Sequence, residues 1–271
     1  MVHIRNDIIF QISNIQFQIL NLEENSMEDA VWNQFISNDS GIPEVKLQII
    51  RQESLDYQLE RYNLTERPEQ VFRYGTDILL VNDDWSVCAL LAPKDRASLF
   101  IFTNHIFYSR ALYHQMIQFH SSLVDWDGCG ILFLGPSGIG KTTQAELWAQ
   151  YKGADIINGD LVFVQKTAEG FLGWGTPWHG SSPYCLNKAV PLKALVILRQ
   201  SSENNIRKLN GFEKVSEVSQ NLFYPTWLQG GVEWCTKILD ELLTCLPVFR
   251  LDNRADEQSV EILVEELEHD S

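Results

Sequence analysis

The feature that most constrains this chain is the stretch Gly135-Pro136-Ser137-Gly138-Ile139-Gly140-Lys141-Thr142, a full match to G-x-x-x-x-G-K-[ST]. Ile131 to Leu134 before it reads as a short buried strand, and Lys141 to Tyr151 after it as a helix closed by Gly153. A strand that runs through a glycine-rich turn into a helix must curl its backbone. The amides then point inward as a nest for phosphate oxygens, and the helix N-terminus adds the positive end of its dipole. Lys141 supplies a mobile cation for the β- and γ-phosphates, and the Thr142 hydroxyl is placed to ligate Mg²⁺. Gly135 through Thr142, with Thr143 in the first helical turn, are therefore the expected contacts to ATP or another nucleoside triphosphate.

A phosphate loop serves switches, motors and kinases alike, so an acidic partner has to decide between them. Two segments compete. Ile78 to Asp84 is apolar and ends in acid, but it precedes the loop and reads better as a hairpin turn. Asp155-Ile156-Ile157-Asn158-Gly159-Asp160 follows the loop helix directly. A strand there is expected to lie beside the strand that feeds the loop, with its end facing the phosphates. Asp160 is accordingly expected to act as Mg²⁺ ligand, general base, or both. The alternative is a turn aspartate, because Asn-Gly is also a hairpin signal. Asn187-Lys188-Ala189-Val190 begins like a base-reading GTPase motif but lacks its Asp, and no apolar strand after the loop ends in Asp-Glu. These features favour phosphoryl transfer to an acceptor hydroxyl over switching or motor work.

The rest of the chain reads as a mixture of strands and helices. Residues 1–103 are strand-rich: Ile15, Phe17 and Ile19 alternate with Gln16 and Gln18, Val45 to Ile49 repeats the pattern, and Ile78–Val81 and Val87–Leu91 flank Asn82-Asp83-Asp84. Leu99–Phe102 is another short apolar run, and Glu23–Asp29 and Arg51–Pro68 are polar. From residue 104 the pattern turns α/β. Leu112, Met116 and Phe119 predict a helix before His120, and Leu123–Asp125 and Ile131–Leu134 predict paired strands across Asp127-Gly128. Val215–Phe223 and Val232–Leu246 read as helices, Val248–Leu251 as a strand and Val260–Leu267 as a final helix. The expected division is 1–103 and 104–271.

The net charge of −15 opposes phosphate backbones and anionic membranes, so neither nucleic acid nor membrane is expected as a partner. No apolar run has the length of a membrane span, and the N-terminus, with Asp7, does not read as a signal peptide. The five cysteines are scattered without a C-x-x-C pair, which suits reduced thiols in a cytoplasmic protein.

His120-Ser121-Ser122-Leu123-Val124-Asp125, then Gly128 to Leu134, then the loop, resembles the catalytic domain of HPr kinase/phosphorylase. The similarity is clearest over residues 120–164 and extends weakly through Val248-Phe249-Arg250-Leu251 to the last helix. It implies a phosphoenolpyruvate-carboxykinase-like α/β core, preceded here by a strand-rich region without visible match. It also implies ATP and Mg²⁺ at the loop and a serine on a protein or peptide as acceptor. Within the family the chain looks more like the divergent members of bacterial peptide-modification clusters, lasso-peptide precursor kinases among them. The resemblance places the catalytic Asp at Asp160 and a His near the acceptor at His120. The family often has two adjacent Asp residues where this chain has Gly159-Asp160, and the segment linked to phosphorolysis is not recognisable.

Other candidates are less determined. His120 could hydrogen-bond Asp160 or the transferring phosphate, or simply be structural. Gly175 to Ser182 combines glycines, hydroxyls, an aromatic and a His, which suits substrate contact by Trp178, His179 and Ser181, or a packed Trp beside a solvent-facing His. Arg199, Arg207 and Arg250 could steady transition-state charge or be surface cations. The expected activity is an ATP- and Mg²⁺-dependent kinase acting on a Ser or Thr of a peptide or protein, with the N-terminal region a candidate for binding that partner. A kinase of free hydroxy amino acids and a non-catalytic nucleotide-binding module are the alternatives.

Overall fold

The computed structural model describes residues 6–22, 31–39, 41–50, 70–91, 96–180 and 182–269. The polar stretches Glu23–Asp29 and Arg51–Pro68, and Ser181, lie outside them. The chain divides into two compact units, Met1–Tyr113 and His114–Ser271.

In the first unit, strands β1 (Asn6–Ile12), β2 (Ile15–Leu22), β3 (Val45–Ile50), β4 (Gln70–Tyr74), β5 (Asp77–Val81) and β6 (Val87–Leu91) form a mixed sheet ordered β1-β2-β3-β6-β5-β4. Ile15, Phe17 and Ile19 are fully buried, as their alternation demands. The β5–β6 hairpin turns through Asn82 to Trp85, where Trp85 takes a positive φ of 62°. Asn82 steadies this turn by accepting from the Val87 amide at 3.0 Å. Leu99–Phe102 belongs to helix α1 (Arg96–Ala111) rather than to a strand. Arg110, near the end of α1, donates to Glu44 at 2.9 Å and to the Asp84 carbonyl at 2.8 Å, tying the helix to the sheet it follows.

In the second unit the long strand β7 (Met116–Trp126) replaces the helix expected over Leu112–Phe119. Met116 to Phe119 are all buried, so the helical spacing came from a strand covered on both faces, where every position is apolar or enclosed. β8 (Cys129–Leu134) returns antiparallel to β7 across Asp127-Gly128. β9 (Asp155–Asn158), β10 (Leu161–Thr167), β11 (Gly170–Trp174), β12 (Ala189–Gln200), β13 (Asn205–Lys208), β14 (Leu222–Phe223) and β15 (Val248–Asn253) complete the sheet. Its main path is β11-β10-β7-β8-β12-β15-β13, with β9 and β14 also on β7. β9 therefore pairs with β7 and not, as expected, with the loop-feeding strand β8, whose parallel neighbour is β12. Because β7 is antiparallel to both, β9 and β8 still run the same way and end on the same side.

Helix α2 (Lys141–Lys152) follows the phosphate loop and ends at Gly153, whose φ of 66° is the left-handed cap its position calls for. α3 (Gly211–Ser219) stops short of Phe223, which lies on β14, so only part of the helix read over Val215–Phe223 forms. α4 (Gly231–Cys245) buries Cys235, Leu239 and Leu242 along one face, and α5 (Glu257–His269) closes the unit. α2 and α5 pack on the sheet through a core that includes Phe133, Trp148, Val196, Phe249 and Leu263. The Trp148 ring meets Trp126 edge-on at 5.3 Å. All five cysteines are free thiols.

Two measurements test this packing. Trp148→Ala should cost about 3–5 kcal/mol in chemical denaturation, because a fully buried ring leaves a cavity its neighbours cannot fill. Burial also lowers the pKa of His105, on α1, from its ordinary 6.5 to about 4. Between those values the unfolded chain takes up a proton that the folded chain refuses, so stability falls as pH drops from 6.5 to about 4 and levels off below. The loss amounts to roughly 3 kcal/mol, and His105→Leu should remove that share of the acid slope in denaturation midpoints taken across this range.

Candidate active site

The site forms where β7 changes partners on both edges. On one edge β7 pairs with β10 up to His120 and with β9 from Leu123. Gly159 and Asp160 fill the gap. On the other edge it pairs with β14 at Gln118 and Phe119 and with β8 from Ser121. The phosphate loop departs there, one residue after Leu134.

The loop has the backbone its glycines allow: Gly135, Gly138 and Gly140 have φ of 146°, 79° and 109°, conformations that side chains resist. α2 begins at Lys141 directly after this turn, so its dipole end faces the nest. Lys141 is only 6% exposed, and its Nζ donates to the carbonyls of Gly135 at 2.9 Å and Pro136 at 3.2 Å. Burial lowers the Lys141 pKa, and the charge of Asp160 opposes that shift. The cation and the carboxylate thus sense each other across the site. The Ser122 hydroxyl donates to the Lys141 carbonyl at 2.9 Å, and the Thr142 hydroxyl reaches the Gly159 carbonyl at 3.4 Å. These two bonds tie the first turn of α2 to β7 and to the carboxylate loop. Thr143 is exposed in the same turn, as are Pro136, Ser137 and Gly138 in the loop, while Ile139 is partly covered.

Asp160 is held from several directions. Its amide and that of Leu161 donate to the Asn158 carboxamide oxygen at 2.8 and 2.9 Å, and its carbonyl accepts from Ser121 at 2.9 Å. Asn158 is fully buried and donates in turn to the Thr176 carbonyl at 3.1 Å. The Thr176 hydroxyl donates to the Leu161 carbonyl at 2.8 Å, which anchors Thr176 to the start of β10. His120 Nε2 lies 3.2 Å from Asp160 Oδ1, both side chains about a quarter exposed. Phe223 packs near His120, ring centroids 6.3 Å apart.

The site also accounts for Gly159. A side chain there would collide with Ser182, so the backbone has no room for a second carboxylate beside Asp160. Gly180 is constrained too: a Cβ on it would lie 2.5 Å from Asp160 Oδ2. Among the other candidates, Trp178 is fully buried, so its ring packs inside and offers no surface to a substrate. His179 is partly exposed beside Gly180. Arg199 pairs with Glu217 at 2.6 Å and borders a cavity of about 180 Å³ shared with Gly135, Pro136 and Asn221. Arg207 pairs with Glu213 and Arg250 with Asp252.

Sequence reading missed Asn158 as the anchor of Asp160, although an Asn two residues before the carboxylate is the signature of an Asx turn. It also missed Asn221, whose carboxamide accepts from the Gly135 amide at 2.8 Å across 86 residues of chain, a distance at which no local signal exists.

The donor set suits Mg²⁺. Among the described residues no group of three or more His, Cys, Asp or Glu could hold a metal unaided. Mg²⁺ asks for less, one or two hard protein oxygens with phosphates and water completing the shell, and the Thr142 hydroxyl and Asp160 carboxylate are of that kind. No helix among the described residues is long and apolar enough to cross a membrane.

Fold and site together define an α/β protein that carries a glycine-rich loop of the phosphate-binding type in its second unit and a strand-rich sheet in its first. Residues 87–237, more than half of the chain, match the model of the family described as SynChlorMet cassette protein ScmC, and the chain belongs to that family. It is 30% identical over 147 residues to an HPr kinase/phosphorylase of Thermoanaerobacter sp. (strain X514), covering 50% of this chain and 46% of that one. The homologue from Caldanaerobacter subterraneus subsp. tengcongensis is 29% identical over the same length. The chain thus spans about half the length of the curated relatives it matches. The HPr(Ser) kinase/phosphatase structure from Coxiella burnetii aligns over 57% of this chain and 99% of its own, with TM-score 0.35 and 12% identity.

Asn158→Ala should leave the Asp160 and Leu161 amides without their acceptor. Hydrogen exchange at these two amides should accelerate, with a stability loss of about 1–3 kcal/mol; unchanged protection would show that Asn158 does not hold the carboxylate.

Proposed function

We propose that this protein is an ATP- and Mg²⁺-dependent kinase that phosphorylates a Ser or Thr hydroxyl of a peptide or protein, a ribosomal peptide precursor being the favoured acceptor. The observation that carries this reading is the His120–Asp160 pair, 3.2 Å apart at the partner change of β7 whose other edge starts the phosphate loop. A carboxylate–imidazole pair at that place suits removal of a proton from an acceptor hydroxyl. Relationship to HPr kinase/phosphorylases supports the protein acceptor, and a cassette-protein family is in keeping with peptide modification.

In this reading the loop amides and the N-terminus of α2 receive the triphosphate, and Lys141 exchanges its two loop carbonyls for phosphate oxygens. Asp160 takes the proton of the acceptor hydroxyl as the acceptor oxygen bonds to the γ-phosphorus and ADP departs with the bridging oxygen. His120 orients the carboxylate and faces the acceptor. Thr142 and Asp160 would hold Mg²⁺, which when bound neutralises phosphate charge. Catalysis rests mainly on positioning and charge. His179, partly exposed beside Gly180, and Arg199, next to the loop, are the remaining candidates for substrate contact; Ser181 keeps that assignment from its sequence position alone. The N-terminal unit is assigned to partner recognition.

The test is transfer of labelled phosphate from ATP, with Mg²⁺, to candidate precursor peptides and, separately, to free serine. Peptide labelling is expected. Labelling of serine alone would point to a small-molecule kinase, and ATP binding without transfer to a nucleotide-binding module. Asp160→Asn should keep ATP affinity and lose turnover by about 10²–10⁴-fold, while Lys141→Ala should lose ATP binding itself. An Asp160→Asn variant as fast as the parent would remove the carboxylate from the reaction.

A further inference from the structure

Asn221 sits between α3 and β14 and is 8% exposed. Its side chain and its main chain reach two different parts of the site. The carboxamide oxygen accepts from the amide of Gly135, the first residue of the phosphate loop, at 2.8 Å. The main-chain carbonyl accepts from the amide of His120 at 2.8 Å. The carboxamide nitrogen donates to the Glu217 carbonyl at 2.9 Å, and the Asn221 amide donates to the Val218 carbonyl at 3.0 Å. The orientation of the side chain follows from its partners: the Gly135 N–H offers only a donor and the Glu217 carbonyl only an acceptor, so the carboxamide cannot be reversed without breaking both.

At the place where β8 has left β7 and β14 has not yet joined it, one residue supplies the missing sheet bond to His120 and the missing bond to the loop. We infer that Asn221 is a positioning residue that sets the phosphate loop and the His120–Asp160 pair at a fixed separation, so that nucleotide and proton acceptor share one frame. The assignment deepens the kinase reading and rests on it for its catalytic meaning, but the physical link between loop and pair stands apart from any activity. α3 is part of the frame, because the Glu217 carbonyl orients the carboxamide while the Glu217 side chain holds Arg199. An isosteric change at Asn221 should therefore loosen the loop without emptying the core.

The experiment uses the full chain with Asn221→Leu and Asn221→Asp, read three ways. Hydrogen exchange at Gly135 should be at least about tenfold faster in Asn221→Leu, whose side chain no longer accepts from that amide, with amides of the core strand β12 unchanged. The dissociation constant for ATP, by calorimetry, should rise about tenfold in Asn221→Leu and about threefold in Asn221→Asp, which keeps the acceptor for Gly135 but turns a second oxygen toward the Glu217 carbonyl. Turnover per ATP-binding site should fall in Asn221→Leu and recover in part in Asn221→Asp. A purely structural residue would lower the thermal midpoint and the active fraction but leave the ATP constant and turnover per site at parental values, and that result overturns the inference. Parental exchange at Gly135 overturns it as well, whatever the activity. If the parent itself binds no ATP while Asn221→Leu still deprotects Gly135, the kinase reading fails and the link stands. Should Asn221→Leu not fold, Asn221→Asp decides: a parental ATP constant in that variant sinks the proposal.

Discussion

A strand in the middle of a sheet must find partners for its backbone on both edges along its whole length. β7 meets that demand with four different strands, and it changes from one to the next at the same place on both sides. Regular pairing lapses for a residue or two on each flank. The chain fills these lapses with a tight turn carrying Asp160 on one side and with the start of the phosphate loop and Asn221 on the other. The site is therefore a property of the sheet: its parts are held by the same kind of bond that holds the strands.

The electrostatics follow from that arrangement. Lys141 sits in a nearly closed environment where its charge is expensive, and the loop carbonyls with the nearby Asp160 offset that cost. An ammonium held this way has much to gain from an incoming phosphate, which offers full negative charge in place of carbonyl dipoles. Asp160, anchored by Asn158 through its backbone, leaves its carboxylate to face His120 and the site.

Much of this was legible in the sequence where the signal is local. The loop, its strand and helix, the Gly153 cap and the β7–β8 turn all rest on neighbouring residues and appear as read. Asp160 and His120 were singled out, and the fold brings them into contact. The errors lie where the tertiary arrangement decides. Met116 to Phe119 form a strand buried on both faces, and such a strand loses the two-residue alternation that would distinguish it from a helix. β9 was expected beside β8 because chain order suggested it, whereas strand order is decided by which edges remain open. Asn221 lies too far along the chain from Gly135 for any pattern of spacing to join them. Trp178, placed among small and polar residues that suit a substrate loop, is fully buried, and no local pattern distinguishes a packed ring there from an exposed one.

The absence of space at Gly159 carries an evolutionary consequence. Ser182 occupies the volume that a side chain at 159 would need, and the two positions come from different loops. A side chain added at 159 alone would meet the Ser182 Oγ and Cβ, so an acidic neighbour of Asp160 at that position requires the segment carrying Ser182 to shift as well. The two sites are epistatic. The lone acid is in that sense entrenched, kept in place by the packing around it as well as by any selection on the reaction.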